Sequence, residues 1–307
     1  MREDPRVFCI GEDIAEFGGA FKATKGLLEE FGAERVIDTP IAESGIAALA
    51  IGAAMSGLRP ILEMQFADFV SNAFTQIVYN AAKSHYRWGQ AVPLVIRLPA
   101  GGGLSAGPFH SSNPEAWFMN IPGLKIVAPA TVKDARALLK AAAYDNNPVL
   151  FLEHKYLYRR LKDVLGEEES CAVIGEARIA RSGTDASIVT FGAMVLHAVE
   201  AAGILAKEGF EVEVIDLRSI LPWDKQTVLE SVKKTSRCLV LYEANYTGGV
   251  GGEYASYISE FAFRHLDAPV TRLASKDTPV PFAPALEKAF LPGVDDIVSA
   301  VRGLLAY

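Results

Sequence analysis

Glu43 and His110 each combine a reactive side chain with a position suited to ligand binding. Glu43 opens a helical pattern after residues 38–42, and its neighbours are mostly small and apolar. A carboxyl group in such surroundings favours protonation or a strong hydrogen-bonding partner. An acid in the first turn of a helix is also stabilised by the helix dipole, by about 0.3–1 kcal/mol. On the residue alone, that structural interpretation of Glu43 is the stronger one.

His110 follows a glycine-rich segment, residues 101–107, that begins where a predicted strand ends. A histidine on such a loop is well placed for proton transfer or for contact with an anion. Alternatively, its side chain caps a helix that begins near Pro114. Chemistry alone leaves these two interpretations even.

The glycine-rich segments do not match the common nucleotide-binding motifs. Residues 101–106 fit the pattern G-x-G-x-x-A, but Gly107 and Pro108 follow at once, so no helix N-terminus is available for a pyrophosphate. Residues 248–252 lack the Lys-Ser/Thr pair of a P-loop, and we interpret them as a tight turn. The sequence also has no H-E-x-x-H or G-x-S-x-G pattern, so zinc proteolysis and serine hydrolysis have no support.

Short β-branched runs alternate with longer helical patterns along the chain. The predicted strands are residues 7–10, 35–37, 60–64, 93–98, 125–128, 149–152, 186–190, 211–215, 238–242 and 270–273. The predicted helices are residues 25–31, 43–56, 67–88, 132–144, 194–207, 226–233, 253–265 and a last one near 294–305. This alternation predicts an α/β protein with two doubly wound, mainly parallel sheets.

A charged segment without periodicity, residues 161–171, interrupts the alternation and is predicted to be a linker. The predicted domains are therefore residues 1–160 and 172–307. Ligands of doubly wound sheets bind beyond the carboxyl ends of the strands. Residues 39–45 and 101–110 lie there, so Glu43 and His110 are expected at the same edge of the first sheet.

Composition excludes several functional classes. The chain has 307 residues, half of them hydrophobic, and a net charge of -7, which argues against binding to a nucleic-acid backbone. Its longest apolar run is too short for a membrane span, and its first residues lack the apolar core of a signal peptide. The three cysteines have no C-x-x-C spacing and are expected to be free thiols. We expect a soluble cytoplasmic protein.

Several segments occur in an order typical of one enzyme family. They are residues 11–19 (GEDIAEFGG), 37–45 (IDTPIAESG), 63–69 (EMQFADF), 109–116 (FHSSNPEA), 122–127 (PGLKIV), 145–153 (DNNPVLFLE) and 216–224 (DLRSILPWD). Together they resemble the beta subunit of the thiamine-diphosphate-dependent, decarboxylating component of 2-oxo-acid dehydrogenase complexes. The resemblance implies a transketolase-like pyrimidine-binding domain followed by a transketolase-type C-terminal domain. The helix that this family carries upstream of its first strand is missing from the sequence.

The resemblance also implies roles for individual residues. Glu43 matches the carboxylate that hydrogen-bonds the aminopyrimidine ring of thiamine diphosphate and so promotes activation of the thiazolium carbon. Phe69 matches the aromatic residue that packs on this ring, where some members have tyrosine, and Gln65 lies nearby. His110 matches the active-site histidine that orients the substrate carboxylate or the incoming lipoyl group.

Metal ions and partner chains follow from the same resemblance. The family's potassium site matches six positions, which are Val92, Leu94, Val95, Ala142, Asp145 and Asn147. The sequence has no G-D-G motif for magnesium and the diphosphate, and in the heteromeric members that motif is on the alpha subunit. The expected assembly is a heterotetramer of two alpha and two beta chains that docks on a dihydrolipoyl acyltransferase core.

The substrate is expected to be a branched-chain 2-oxo acid, with pyruvate and acetoin as the alternatives. Residues 65–69 and 114–116 favour the branched-chain members. One methylene group in a substrate changes selectivity by only about 1–3 kcal/mol, so pocket size decides among them. Two other readings are a non-catalytic assembly subunit of the same fold and a nicotinamide oxidoreductase. Retention of Glu43, Phe69 and His110 together argues against the former.

Overall fold

Two β-sheets organise the chain, which a computed structural model describes over residues 1–166 and 172–307. The strands are β1 (Val7–Gly11), β2 (Val36–Asp38), β3 (Arg59–Glu63), β4 (Val95–Ala100), β5 (Lys125–Val127), β6 (Val149–His154), β7 (Arg178–Arg181), β8 (Ala186–Thr190), β9 (Val212–Asp216), β10 (Ser219–Leu221), β11 (Cys238–Asn245) and β12 (Thr271–Ser275). The first sheet has the order β10-β5-β6-β4-β3-β1-β2 and the second has the order β12-β11-β8-β9-β7. Only the pairs β10–β5 and β7–β9 are antiparallel among the described strands, so the predicted fold class is confirmed.

Helices flank both sheets. They are α1 (Leu27–Phe31), α2 (Glu43–Met55), α3 (Ser84–Trp88), α4 (Glu115–Phe118), α5 (Val132–Tyr144), α6 (Met194–Lys207), α7 (Lys225–Thr235), α8 (Gly251–Phe261), α9 (Pro284–Phe290) and α10 (Val294–Leu305). Every residue of β4 and β8 is buried, as expected for strands that are covered on both faces. None of the helices in the described ranges is long and apolar enough to cross a membrane.

The predicted continuous helix over residues 67–88 is wrong. The segment forms a 3₁₀ helix (Ala67–Ala73), a π-helical turn (Gln76–Ala81) and then α3. Polar side chains make local bonds here: the Ser71 hydroxyl donates to the Asp68 carbonyl at 3.2 Å. Such bonds compete with the regular α-helical ladder. The break brings the short segment that carries Phe69 against α2.

The two halves of the chain share one of the sheets. Strand β10 lies in the second half but pairs with β5 at the edge of the first sheet. The main hydrophobic core also crosses between the halves, and it includes Phe118 from the first and Tyr254 from the second. Residues 161–166 of the predicted linker form no helix or strand, and residues 167–171 lie outside the described residues. Cys9 and Cys238 are buried free thiols, as predicted.

A buried arginine ties together three strands of the first sheet. Arg97 of β4 is 7% exposed and forms an ion pair with Glu63 of β3. Its Nε and Nη2 atoms also donate to the two carboxylate oxygens of Glu153 on β6, each at 2.6 Å. Burial alone would raise the pKa of Glu153, but this bidentate contact with Arg97 lowers it. The guanidinium is therefore shared by two acids at the carboxyl edge of the sheet, and burial raises the pKa of Glu63, the acid with the single contact.

Replacing Arg97 with methionine should destabilise the protein strongly. Because Glu63 and Glu153 would lose their shared buried cation, we expect the free energy of unfolding to fall by about 3–5 kcal/mol. Urea denaturation followed by circular dichroism measures this change. The control is Arg2→Met, which removes an exposed ion pair with Glu30 and should leave the midpoint nearly unchanged. Equal midpoints for the two variants would contradict the role given to Arg97.

Candidate functional site

The carboxyl ends of β1, β2 and β3 meet at one edge of the first sheet. Gly11 at the end of β1 lies opposite Asp38 of β2 on one side and Glu63 of β3 on the other. Glu12 follows β1 directly, and Gln65 comes two residues after β3. Polar residues of three neighbouring strands are thereby gathered where parallel sheets bind ligands.

Glu43 is a buried acid without a partner of its own. It begins α2 and is 9% exposed. No hydrogen bond or ion pair within residues 1–166 and 172–307 engages its carboxyl group. Glu12 lies beside it and is 8% exposed; burial, and then the charge of Glu43, raise the pKa of Glu12. Two neighbouring buried acids that lack a donor are suited to receive one from a ligand.

Glu12 is the site residue that our sequence reasoning missed. The family resemblance includes its segment, but no role was assigned to it. The signal that points to it is its position as the first residue after a fully buried parallel strand. The same reasoning was applied to residues 39–45 and 101–110 and not to the end of β1.

Gln65 and Phe69 lie beyond β3. The Nε2 atom of Gln65 is buried and has no hydrogen-bond partner among the described residues, so this amide can donate to a ligand. Phe69 is half-buried, and its ring meets the His110 ring edge to face with centroids 5.7 Å apart. The structure therefore brings Phe69 and His110 into direct contact. Glu43 lies at the start of α2, and this helix packs against the segment that carries Phe69.

His110 is held between two aromatic rings. Besides Phe69, it contacts Phe66 edge to face with centroids 5.1 Å apart. The nearby Ser112 amide donates to Oδ1 of Asp68 at 3.0 Å, which ties the loop to the same segment. The alternative that His110 caps a helix is wrong, because α4 begins after Pro114 and no side chain caps it. The histidine is thus available for a ligand.

The six predicted potassium-site residues come from two adjacent segments of the first sheet. The Val92 amide donates to the Asn146 carbonyl at 3.2 Å, so the entry to β4 touches the turn between α5 and β6. Asp145 already meets two cations: its carboxylate pairs with Lys125, and its carbonyl accepts from Arg59 at 3.1 Å. Backbone carbonyls suit a hard cation, but positive charge already surrounds Asp145. The Leu94 and Ala142 carbonyls already accept backbone amides, those of Val149 at 2.8 Å and of Asp145 at 3.2 Å, so each has one lone pair left for an ion.

A small cavity lined by both polar and apolar side chains lies where the two halves of the chain meet. It has a volume of 20 Å³ and is lined by Glu115, Asn113, His154, Glu243 and residues 191–194 among others. Both carboxyl oxygens of Glu115 are buried without a hydrogen-bond partner in the described part of the chain. Burial raises the pKa of Glu115 to about 7, its own backbone amide opposes this, and the charge of Glu243 adds to it. A cavity of this size holds a single water molecule.

Known proteins match both halves of the chain. The family model for the transketolase pyrimidine-binding domain matches residues 1–160, and the model for the transketolase C-terminal domain matches residues 175–297. The chain is 47% identical over 310 residues to the 2-oxoisovalerate dehydrogenase subunit beta of Bacillus subtilis (strain 168), covering 100% of this chain and 95% of that protein. It is 46% identical over 306 residues to the pyruvate dehydrogenase E1 component subunit beta of Rhizobium meliloti (strain 1021), covering 99% of this chain and 66% of that protein.

A solved structure supports the fold. The split-gene transketolase in an inactive beta4 tetramer superposes with a TM-score of 0.79 and 24% sequence identity. The match covers 99% of this chain and 93% of that chain. The arrangement of two transketolase-like domains is therefore that of the whole chain.

The protonation of Glu115 should appear in the pH dependence of stability. The pKa of Glu115 rises from 4.5 to about 7 on folding, so its contribution to stability is complete below pH 4.5 and is lost as the pH rises through 7. Glu115→Gln has no such loss, and between pH 5 and pH 8 it should gain about 2–3 kcal/mol in unfolding free energy relative to wild type. Urea denaturation at several pH values measures the difference.

Glu260→Gln, which changes an exposed acid, is the control for this experiment. Its stability relative to wild type should change little with pH. If the stability of Glu115→Gln relative to wild type were as independent of pH as that of this control, the raised pKa assigned to Glu115 would be wrong.

Proposed function

Because the chain belongs to the family of beta subunits of 2-oxo-acid dehydrogenases, which are built on transketolase-like domains, we propose that it acts in oxidative decarboxylation of a 2-oxo acid on thiamine diphosphate. The reaction transfers the acyl group to lipoamide and requires an alpha subunit. The observation that carries this proposal is the position of Glu43, a buried residue whose carboxyl group lies beside Glu12 and receives no donor from the described chain.

The residues of the site fit the pyrimidine half of the cofactor. Glu43 would hydrogen-bond a ring nitrogen, Phe69 would pack on the ring, and Nε2 of Gln65, which has no partner among the described residues, would donate to an acceptor. When bound, thiamine diphosphate supplies a carbon nucleophile and accepts electrons as carbon dioxide leaves. His110, half-buried between Phe66 and Phe69, orients the substrate carboxylate or the lipoyl group.

The partner chain supplies what this chain lacks. We place the diphosphate and its magnesium ion on an alpha subunit, since the G-D-G motif is absent from this sequence. The expected assembly has two alpha and two beta chains and docks on a dihydrolipoyl acyltransferase core. Exposed aromatic side chains support such subunit contacts, among them Tyr86 at 97% and Trp88 at 62% exposure. We also place the protein in the cytoplasm.

Two further assignments accompany this function. A potassium ion is proposed at the carbonyls of Val92, Leu94, Val95, Ala142 and Asn147, with Asp145 as the sixth position predicted from the family. Residues 1–160 and 172–307 are proposed as the two domains, with residues 161–171 as the linker. The extents of the two family matches support these boundaries.

The favoured substrate is a branched-chain 2-oxo acid. A relative named for 2-oxoisovalerate is 47% identical to this chain. Residues 65–69 and 114–116 also favour the branched-chain members. Pyruvate is the second candidate, because a relative named for it is 46% identical. Rates of the assembled enzyme with 2-oxoisovalerate, pyruvate, 2-oxoglutarate and acetoin distinguish these substrates. A clear preference for pyruvate would overturn the branched-chain assignment and leave the reaction class intact.

Glu43→Gln tests the function directly. Glutamine keeps the shape of the side chain but cannot hold a proton on a ring nitrogen, so we expect decarboxylation by the co-purified alpha–beta pair to fall at least about 100-fold. The measurement is carbon dioxide release that depends on thiamine diphosphate. Size-exclusion chromatography establishes that the variant still assembles.

Glu253→Gln is the matched control, because Glu253 is an exposed acid in the first turn of α8. If Glu43 served only the helix dipole, both substitutions would have similarly small effects on activity. That outcome would contradict the proposed role of Glu43.

A further inference from the structure

The glycine-rich loop before His110 is fastened by two acids from the other half of the chain. Glu287 of α9 accepts the Gly103 amide at 2.9 Å and the Ser105 amide at 2.8 Å, one on each carboxylate oxygen. Glu243 at the end of β11 accepts the Gly102 amide at 2.7 Å. Three backbone donors within four residues therefore bond to carboxylates that lie 141 to 184 positions further along the sequence.

The loop needs these contacts because its backbone is unfavourable for ordinary residues. Ser105 has a φ of 55°, a left-handed conformation that is uncommon for a residue other than glycine. Its amide and its hydroxyl both donate to Oε2 of Glu287, the hydroxyl at 3.3 Å. Gly107 follows with a φ of 74°, and a Cβ atom there would lie 2.3 Å from the Phe282 ring. The second half of the chain thus sets both the conformation and the packing of the loop.

The acids that hold the loop are themselves buried in a charged cluster. Glu243 is 6% exposed; burial would raise its pKa, but His154 at 2.7 Å, the Gly102 amide and Asn113 hold it at about 2. Lys155 is 4% exposed, and burial lowers its pKa to about 8 against the charges of Asp68, Glu243 and Glu287. Glu243 therefore keeps the charge that makes it a strong acceptor, and Lys155 places a positive charge beside the acids below the loop.

The loop leads directly to His110. The His110 amide donates to the Gly107 carbonyl at 3.3 Å, so the turn fastened at Ser105 continues into the histidine without an intervening helix or strand. On its other side, the His110 ring is limited by Phe66 and Phe69. A shift of the loop would move the imidazole along the face of these rings.

We propose that Glu287 is a positioning residue, which fixes residues 103–105 and through them sets the place of His110 over the Phe66–Phe69 pair. The expected effect on kcat rests on the proposed function, whereas the expected effect on the conformation of the loop does not. The contact makes the second half of the chain part of the site, although none of its residues was assigned there from the sequence.

The test compares Glu287→Gln and Glu287→Ala in the co-purified alpha–beta assembly. Glutamine keeps one acceptor oxygen and alanine keeps none, so the effects should be graded. Hydrogen exchange measured by mass spectrometry should speed up about tenfold for one of the Gly103 and Ser105 amides in the glutamine variant, since that variant loses one acceptor oxygen, and for both amides in the alanine variant. Modification of His110 by diethylpyrocarbonate should quicken in the same order.

The kinetic expectation separates positioning from general stability. Because a small misplacement of a catalytic group slows the chemical step, kcat should fall about 10–100-fold while the KM for thiamine diphosphate stays near the wild-type value. Glu260→Gln, which changes an exposed acid on α8, is the control and should change neither kcat nor this KM. Thermal melting identifies a variant that has merely unfolded, and the milder glutamine variant then carries the test.

Two outcomes would overturn the proposal. Unchanged exchange at Gly103 and Ser105 in a folded variant would show that Glu287 does not fasten the loop. Faster exchange with unchanged His110 modification and unchanged kcat would show that the loop does not set the histidine. If the wild-type assembly released no carbon dioxide, the proposed function would fail, but the exchange and modification rates would still decide the role of Glu287.

Discussion

The Arg97 guanidinium is the constraint on which the first sheet depends at its functional edge. It lies on the central strand of three, and it is neutralised by Glu63 on one neighbour and by Glu153 on the other. A buried ion pair adds little net stability when compared with apolar packing, but it strongly disfavours any register that separates the charges. The three strand ends are therefore fixed relative to one another. The loops that leave them, toward Gln65 and toward residues 101–110, start from defined positions.

The second half of the chain completes this edge rather than merely following it. Strand β10 extends the first sheet, and Glu243 and Glu287 reach back to hold the loop that leaves β4. A glycine-rich loop has a large conformational entropy when free, so it needs external bonds to present a side chain in one place. Carboxylates are effective for this purpose, because each can accept several backbone amides at once. The site thus depends on the packing between the halves.

Sequence patterns were sufficient for the elements whose packing is regular. Residues 132–144, 186–190 and 194–207 form the predicted elements with the predicted bounds, because a single helix face or a fully buried strand leaves a clear period. Strands β7 and β10 were missed since they are short, antiparallel edge strands whose partners are distant in sequence. Glu43 and His110 were candidates from their residue types and positions, and the family resemblance gave them their roles. The contacts of Glu287 with the glycine-rich loop could not be predicted from the sequence, because α9 shows no pattern that links it to a loop so far away along the chain.

Glu115 and Glu243 line the same cavity, and they show how hydrogen-bond donors determine the protonation state of a buried carboxyl group. Glu243 has a pKa of about 2 and Glu115 a pKa of about 7, although burial raises both. The difference lies in the donors: Glu243 receives bonds from His154, Gly102 and Asn113, whereas the Glu115 oxygens have none from other described residues. The described residues provide no hydrogen-bond donor to the Glu43 carboxyl group either. Under the proposed function its donor comes from a ligand, and a site whose own chain offers no competing donor binds that ligand's proton most strongly.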